Sequence, residues 1–150
     1  MRKVAVIGSS GAIGRAFVDH YINDLSINSI FSFSRSSIGI DNNKVKHFLI
    51  DIENESSIKN AAKSVEETNF DEIIIASGLL HTNEFGPEKS IKDLKADNIL
   101  KVLNVNTVGP AILGKYFLPL LNKDYKSVMA FLSARVGSIS ENKLGGWYAY

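Results

Sequence analysis

The sequence has 150 residues, 45% of them hydrophobic, and 17 basic against 16 acidic side chains give it a net charge of +1. That is enough apolar material for one domain with its own core, and a near-neutral balance without a basic run gives no electrostatic case for nucleic acid. The absence of cysteine excludes disulfides, thiolate metal sites and cysteine nucleophiles, and no run is long enough to span a bilayer or form a signal-peptide core, so a soluble cytoplasmic protein is expected.

Continuous apolar runs at 4–7, 30–33, 48–50, 73–76 and 128–132 read as strands buried on both faces, as in a parallel sheet covered by helices. Helical patterns lie between them. In the third interval Ile58, Ala61, Ala62 and Val65 recur at helical spacing, with Lys59, Lys63 and Glu66 turned outward. Alternating strand and helix predicts right-handed crossovers and an α/β, Rossmann-type, doubly wound parallel sheet.

The first strand runs into residues 8–14, Gly-Ser-Ser-Gly-Ala-Ile-Gly, and then into a helix with Ile13, Ala16 and Phe17 on one face. Gly8, Gly11 and Gly14 have no Cβ to keep the backbone from a pyrophosphate, and the new helix aims its free N–H groups and positive dipole end there. No Gly-Lys-Ser/Thr closes the loop, which excludes a P-loop and favours dinucleotide binding. After the second strand stands Ser34-Arg35-Ser36, with no acidic residue to accept from the ribose 2′-OH of NAD. Arg35 and its neighbouring serines, Ser34 among them, suit the 2′-phosphate of NADP; the plain alternative is a solvated arginine. After the third strand Asp51 offers a carboxylate to an adenine amino group and Ile52 a wall to its ring, although Asp51 also competes with Asn54 to cap the next helix.

The fourth strand ends in Ala76-Ser77-Gly78, small enough for a ribose to pass close to the backbone. His81 stands in the following loop without a partner pattern, and His20 and His47 show no ligand spacing. A long apolar-faced segment, 98–121, carries Asn104, Asn106 and Gly109-Pro110, so a bend is expected near Asn106. Asn106 is either a tolerated polar helix residue or, with carbonyls freed by the bend, the holder of a water near the cofactor. Past the fifth strand come Ser133-Ala134-Arg135-Val136-Gly137-Ser138 and then Gly145-Gly146-Trp147-Tyr148-Ala149-Tyr150, placing serines and tyrosines at the ligand edge.

With these residues the sequence resembles the short-chain dehydrogenase/reductase superfamily, most closely its C-factor-like and carbonyl-reductase-like branch. The resemblance covers the whole sequence and is most specific at Pro87-Glu88-Lys89-Ser90, Asn106-Thr107-Val108-Gly109-Pro110 and the two stretches after the fifth strand. It implies that Gly8, Ser9, Ser10, Ile13 and Gly14 bind the pyrophosphate, Arg35 the 2′-phosphate, Asp51 and Ile52 the adenine, and Ala76, Ser77 and Gly78 the ribose. It implies Tyr150 as general acid/base, Asn106 as holder of a proton-relay water, and a serine near Ser138 as orienter of the substrate carbonyl. It also implies NADP ahead of NAD, a small carbonyl or alcohol substrate, and a homodimer or homotetramer.

The sequence departs from the family pattern in three places. Gly11 stands one place before the usual middle glycine, at which Ala12 is found. The usual Ser-Ser pair is Ser133-Ala134, so Ser138 is taken as the catalytic serine, with Ser133 second. The family's lysine, four residues beyond Tyr150, falls past the last residue of the sequence. A free tyrosine has a pKa near 10, and such a lysine would lower it. Residues 1–150 are therefore expected to be a dinucleotide-binding domain incomplete at its C-terminus, inactive and poorly soluble alone, with the fifth strand an unpaired edge and Leu113, Phe117 and Leu121 short of neighbours. Two functions stay open: an NADP-dependent oxidoreductase, and a nucleotide-binding regulatory or interaction protein of the same fold without turnover.

Overall fold

The computed structural model describes residues 2–150. Among them β1 (Arg2–Ile7), β2 (Ile27–Ser34), β3 (Val45–Leu49), β4 (Glu72–Ile75) and β5 (Val128–Phe131) form one parallel sheet in the order β3-β2-β1-β4-β5. The order reverses between β1 and β4, which makes a topological switch point at the carboxyl ends of the central strands. The parallel register continues past the strands, with the Gly8 N–H bonded to the Phe33 carbonyl at 2.9 Å and the Ala76 N–H to the Ile7 carbonyl at 2.8 Å. All strand ends that carry candidate site residues therefore share one edge.

Helix α1 (Ala12–Asn23) covers one face of the sheet, and α2 (Glu55–Lys63) and α4 (Gly109–Phe117) cover the other. The two-residue period of the strands decides the faces. Val4, Val6, Ile30 and Ile74 pack with Val18 and Tyr21 of α1, while Ala5, Ile7, Phe31, Phe33, Ile73 and Ile75 pack with Ile58, Leu113 and Phe117. Phe33 lies edge-on to Phe117 at 5.4 Å between centroids and stacks on Phe48 at 5.2 Å. Burying each of these large side chains contributes about 1.5–3 kcal/mol.

Leu113 and Phe117 are fully buried, and Leu121 packs against the same core. The expectation that they lack neighbours is corrected: they face the sheet and α2. The exposed apolar side chains of this region are instead Leu100, Leu103, Val108 and Leu118. As expected, β5 is an edge strand paired with β4 alone, with Val128 and Phe131 exposed. Asn54, not Asp51, caps α2, its side chain accepting from the Ser57 N–H at 3.1 Å.

The segment around Asn106 is not a simple proline bend. Helix α3 (Ala96–Leu103) runs into a π-turn over Asn104–Val108, and α4 follows with Pro110 in its first turn. The Gly109 N–H goes to the Asn104 carbonyl. Pro110 has no N–H, so the carbonyls of Val105 and Asn106 are left without their i+4 donors. The proline is accommodated with a widened turn before it, and both features are sources of a bend in a helix.

Candidate functional site

The glycine turn is fixed by contacts that only glycine permits. Gly8 has φ of 87°, and a Cβ there would stand 2.7 Å from the Ser77 nitrogen and 2.9 Å from the Ala76 carbonyl carbon. At Gly14 a Cβ would overlap the Gly8 carbonyl oxygen. Gly8 thus brings the first turn against the end of β4, and Gly14 brings α1 down onto the turn. Gly11 precedes α1 with φ of −77° and no side-chain cap, and the first turn of the helix holds no acidic residue. Its leading N–H groups are open to an anion.

Two cavities meet at this edge and share Ala76, Ser77 and Gly78. The first, about 480 Å³, is lined by Gly8, Ser10, Gly11, Ser34, Arg35, Asp51 and Ile52. The second, about 390 Å³, is lined by Ile13, Leu80, Asn106, Phe131, Ser133 and Tyr150. The structure thus brings most of the sequence-read cofactor residues around one space and sets Asn106, Ser133 and Tyr150 around its neighbour. The Ser77 hydroxyl, buried where the two join, has no hydrogen-bond partner among the described residues. Donor groups of this kind fit a dinucleotide laid across the switch point.

Three sequence-read residues lie elsewhere. Ser9 is fully buried beneath the turn, its hydroxyl donating to the Phe33 carbonyl at 3.1 Å, and lines neither cavity. Gly14 acts through packing. Ser138 caps a short 3-10 turn (Arg135–Gly137), and its hydroxyl is engaged with the Ser140 hydroxyl at 3.2 Å and the Glu141 N–H at 3.4 Å. Ser138 lines neither cavity, whereas Ser133, two residues past β5, lines the second together with Tyr150.

The Asn106 side chain is committed to the protein. Its Nδ2 donates to the Leu79 carbonyl at 2.9 Å, and its Oδ1 accepts from the Leu79 N–H at 2.7 Å. This reciprocal clamp ties the β4 loop to the π-turn. Tyr150 is held from behind. The Glu88 carbonyl accepts from the Trp147 N–H at 2.7 Å and its carboxylate from the Ala149 N–H at 3.4 Å, while Gly145, Gly146 and Trp147 all have positive φ.

Glu53 and Lys101 also line the first cavity and are paired at 2.6 Å. The Lys101 hydrogen bond holds the Glu53 carboxyl below the usual carboxylate range, with Asn104 and the nearby Arg35 charge adding to the effect. Glu53 was legible as a neighbour of Asp51; Lys101 gives no local signal. His81 lines the first cavity with Thr82 and Asn83, away from Tyr150.

Strand order, glycine turn and paired cavities define a Rossmann-type dinucleotide-binding fold. Within that class the chain has the fold of the short-chain dehydrogenases and reductases, the group its motifs resemble. Its backbone superposes on a short-chain dehydrogenase family protein of Francisella tularensis with a TM-score of 0.81 at 21% identity, covering 100% of this chain and 57% of that one. An NADPH-bound carbonyl reductase from chicken fatty liver gives 0.82 at 23% identity, covering 94% and 60%. By sequence the chain is 28% identical over 103 residues to a 1-hydroxy-2-glutathionyl-2-methyl-3-butene dehydrogenase of Rhodococcus, covering 67% of this chain and 42% of that protein. It is 29% identical over 126 residues to a UDP-glucose 4-epimerase of Rickettsia bellii, covering 75% and 36%. The chain thus spans less than half the length of these curated relatives. No family model matches it. Among the described residues no helix is long and apolar enough to cross a membrane.

Proposed function

We propose that this chain is the cofactor-binding part of an NADP-dependent oxidoreductase of the short-chain type, acting on a small carbonyl or alcohol substrate. The observation that carries the reading is the meeting of two cavities at residues 76–78, one lined by the glycine turn and Arg35, the other by Ser133 and Tyr150. Ser10, Gly11 and the open end of α1 hold the pyrophosphate, Arg35 the 2′-phosphate, and Asp51 and Ile52 the adenine. The cofactor, when bound, supplies or accepts the hydride.

The chain's own residues supply position and the proton. Ser133 donates a hydrogen bond to the substrate carbonyl oxygen, and the Tyr150 hydroxyl gives that oxygen its proton. The freed carbonyls of Val105 and Asn106 hold a water through which the proton is replaced. Leu80, Phe131 and Leu132 give the second cavity an apolar wall, favouring a substrate whose carbonyl carries a hydrocarbon substituent. The place the family gives to serine is occupied by Ala134, which favours as second reading a nucleotide-binding protein without turnover.

Titration of the full-length protein with NADPH and NADH tests the assignment. NADPH is expected to bind more tightly, and Arg35→Asp to erase or reverse the preference. Equal curves for both cofactors, in wild type and variant alike, would refute it.

A further inference from the structure

A buried chain of hydroxyls runs from β3 to the glycine turn. The Phe33 carbonyl at its end accepts the N–H groups of Gly8 and Ser9, at 2.9 and 3.1 Å, and the Ser9 hydroxyl at 3.1 Å. The Ser32 hydroxyl lies 2.8 Å from the Ser9 hydroxyl, and the His47 Nδ1 lies 3.2 Å from the Ser32 hydroxyl. Ser9 and Ser32 are fully buried.

The proton positions follow from the far end. A carbonyl only accepts, so Ser9 must donate to Phe33. Ser9 then accepts from Ser32, whose single proton is thereby used, and Ser32 must accept from His47. His47 is therefore the neutral tautomer with its proton on Nδ1. Its Nε2 is buried with no partner among the described residues, so a second proton there would meet no acceptor among them. Burial accordingly depresses the imidazole pKa. The charged groups on the elements of this side are engaged elsewhere. Arg15 and Asp19 of α1 pair with each other at 3.0 Å, and in the β2–β3 connection Lys44 is tied to the Ile22 and Asp24 carbonyls. Neither they nor Asp41 hydrogen-bonds the imidazole.

We propose that His47 is a positioning residue for the phosphate turn, acting through Ser32 and Ser9 to fix the carbonyl to which Gly8 and Ser9 are tied. The proposal rests on the cofactor reading above. A neutral imidazole completes the chain, and cooperative polarisation along it tightens the hub. A protonated imidazole keeps its Nδ1 donor but carries a buried Nε2 proton with no acceptor, so it is driven from its place and the turn loosens as pH falls below the ordinary histidine value of about 6.5.

The test compares wild-type full-length protein with His47→Asn, whose amide nitrogen replaces Nδ1, and with His47→Phe. Two readouts are taken between pH 5.5 and 8: NADPH affinity, and hydrogen exchange of the Gly8 and Ser9 amides relative to those of β4 without cofactor. His47→Asn is expected to stay within about twofold of wild type at pH 7.5 and to lose the part of the acid fall-off that belongs to His47. His47→Phe is expected to bind about fivefold more weakly at every pH, the factor one ordinary hydrogen bond is worth, and to exchange faster at those two amides. Should His47→Phe fold poorly, Ser32→Ala breaks the same chain at its middle and is expected to do the same. Wild-type affinity and wild-type exchange in the chain-breaking variant overturn the proposal, as does an acid fall-off unchanged in His47→Asn. If wild type binds neither NADPH nor NADH, the cofactor reading fails by itself, and the exchange comparison alone decides the positioning role.

Discussion

Gly8→Ala separates backbone strain from close packing, because Gly39 provides its control. Both residues lie in the left-handed region, with φ of 87° and 60°. A Cβ at Gly39 would meet nothing within 4 Å, whereas one at Gly8 would stand 2.7 Å from the Ser77 nitrogen, with backbone as the obstacle. An alanine in this region costs about 1 kcal/mol at either position. Only Gly8 adds the overlap, about 2–3 kcal/mol for a forced contact that cannot be relieved by a rotamer change. The expected losses are therefore about 1 kcal/mol for Gly39→Ala and about 3–4 kcal/mol for Gly8→Ala. In a domain of this size each kcal/mol shifts the Tm by roughly 2–4 °C. Urea unfolding and thermal melting of the full-length variants measure both, and NADPH titration reads the turn itself. Gly8→Ala should lower affinity as the turn is pushed from Ala76 and Ser77, while Gly39→Ala should leave it alone. Equal destabilisation by the two alanines would refute the claim that the turn is clamped against β4.

Ser133→Ala should lower turnover by about a hundredfold with cofactor affinity nearly intact, and Ser138→Ala should change neither; steady-state kinetics with a carbonyl substrate decides between them. Asn106→Ala removes both bonds to Leu79 and should cost roughly 1–3 kcal/mol in urea unfolding, besides loosening the loop between the cavities. The Glu53 carboxyl is held below its ordinary value by Lys101, so its contribution to stability is present above about pH 4.3 and is lost as pH falls through its folded value. Glu53→Gln should therefore be less stable than wild type at pH 7, with the gap closing below pH 4 in melting curves.

The fold was legible because its signals are local. Apolar runs such as 4–7 and 73–76 mark strands buried on both faces, and helical spacing marks α2. The starts of β2 and β3 were read three residues late, at 30 and 48 where the strands begin at Ile27 and Val45, because Asn28 and Ser29 in β2 and Lys46 and His47 in the edge strand β3 break the apolar runs. Arg35, Asp51 and Ser77 were legible as strand-end residues once the sheet was known to be parallel. Ser9 and His47 were not, since their meeting through Ser32 depends on a parallel register between strands distant in the chain. The setting of Ser138 was hidden for a related reason: a single 3-10 turn precedes it, and nothing in Ala134-Arg135-Val136-Gly137 announces that turn. The π-turn was read as a bend, because sequence shows that Pro110 cannot donate but not which neighbour gives way.

The strand order has a consequence for how the protein is made. Of the five strands described, the central one leaves the ribosome first. It can pair with β2 almost at once, but its other edge waits for β4, with all of residues 35–71 still to be synthesised. Until then Val4–Ile7, fully buried in the finished molecule, has an unprotected flank. Closure of the β1–β4 seam is a non-local, and hence slow, event. The nascent chain should accordingly be most dependent on chaperones between the emergence of β2 and that of β4.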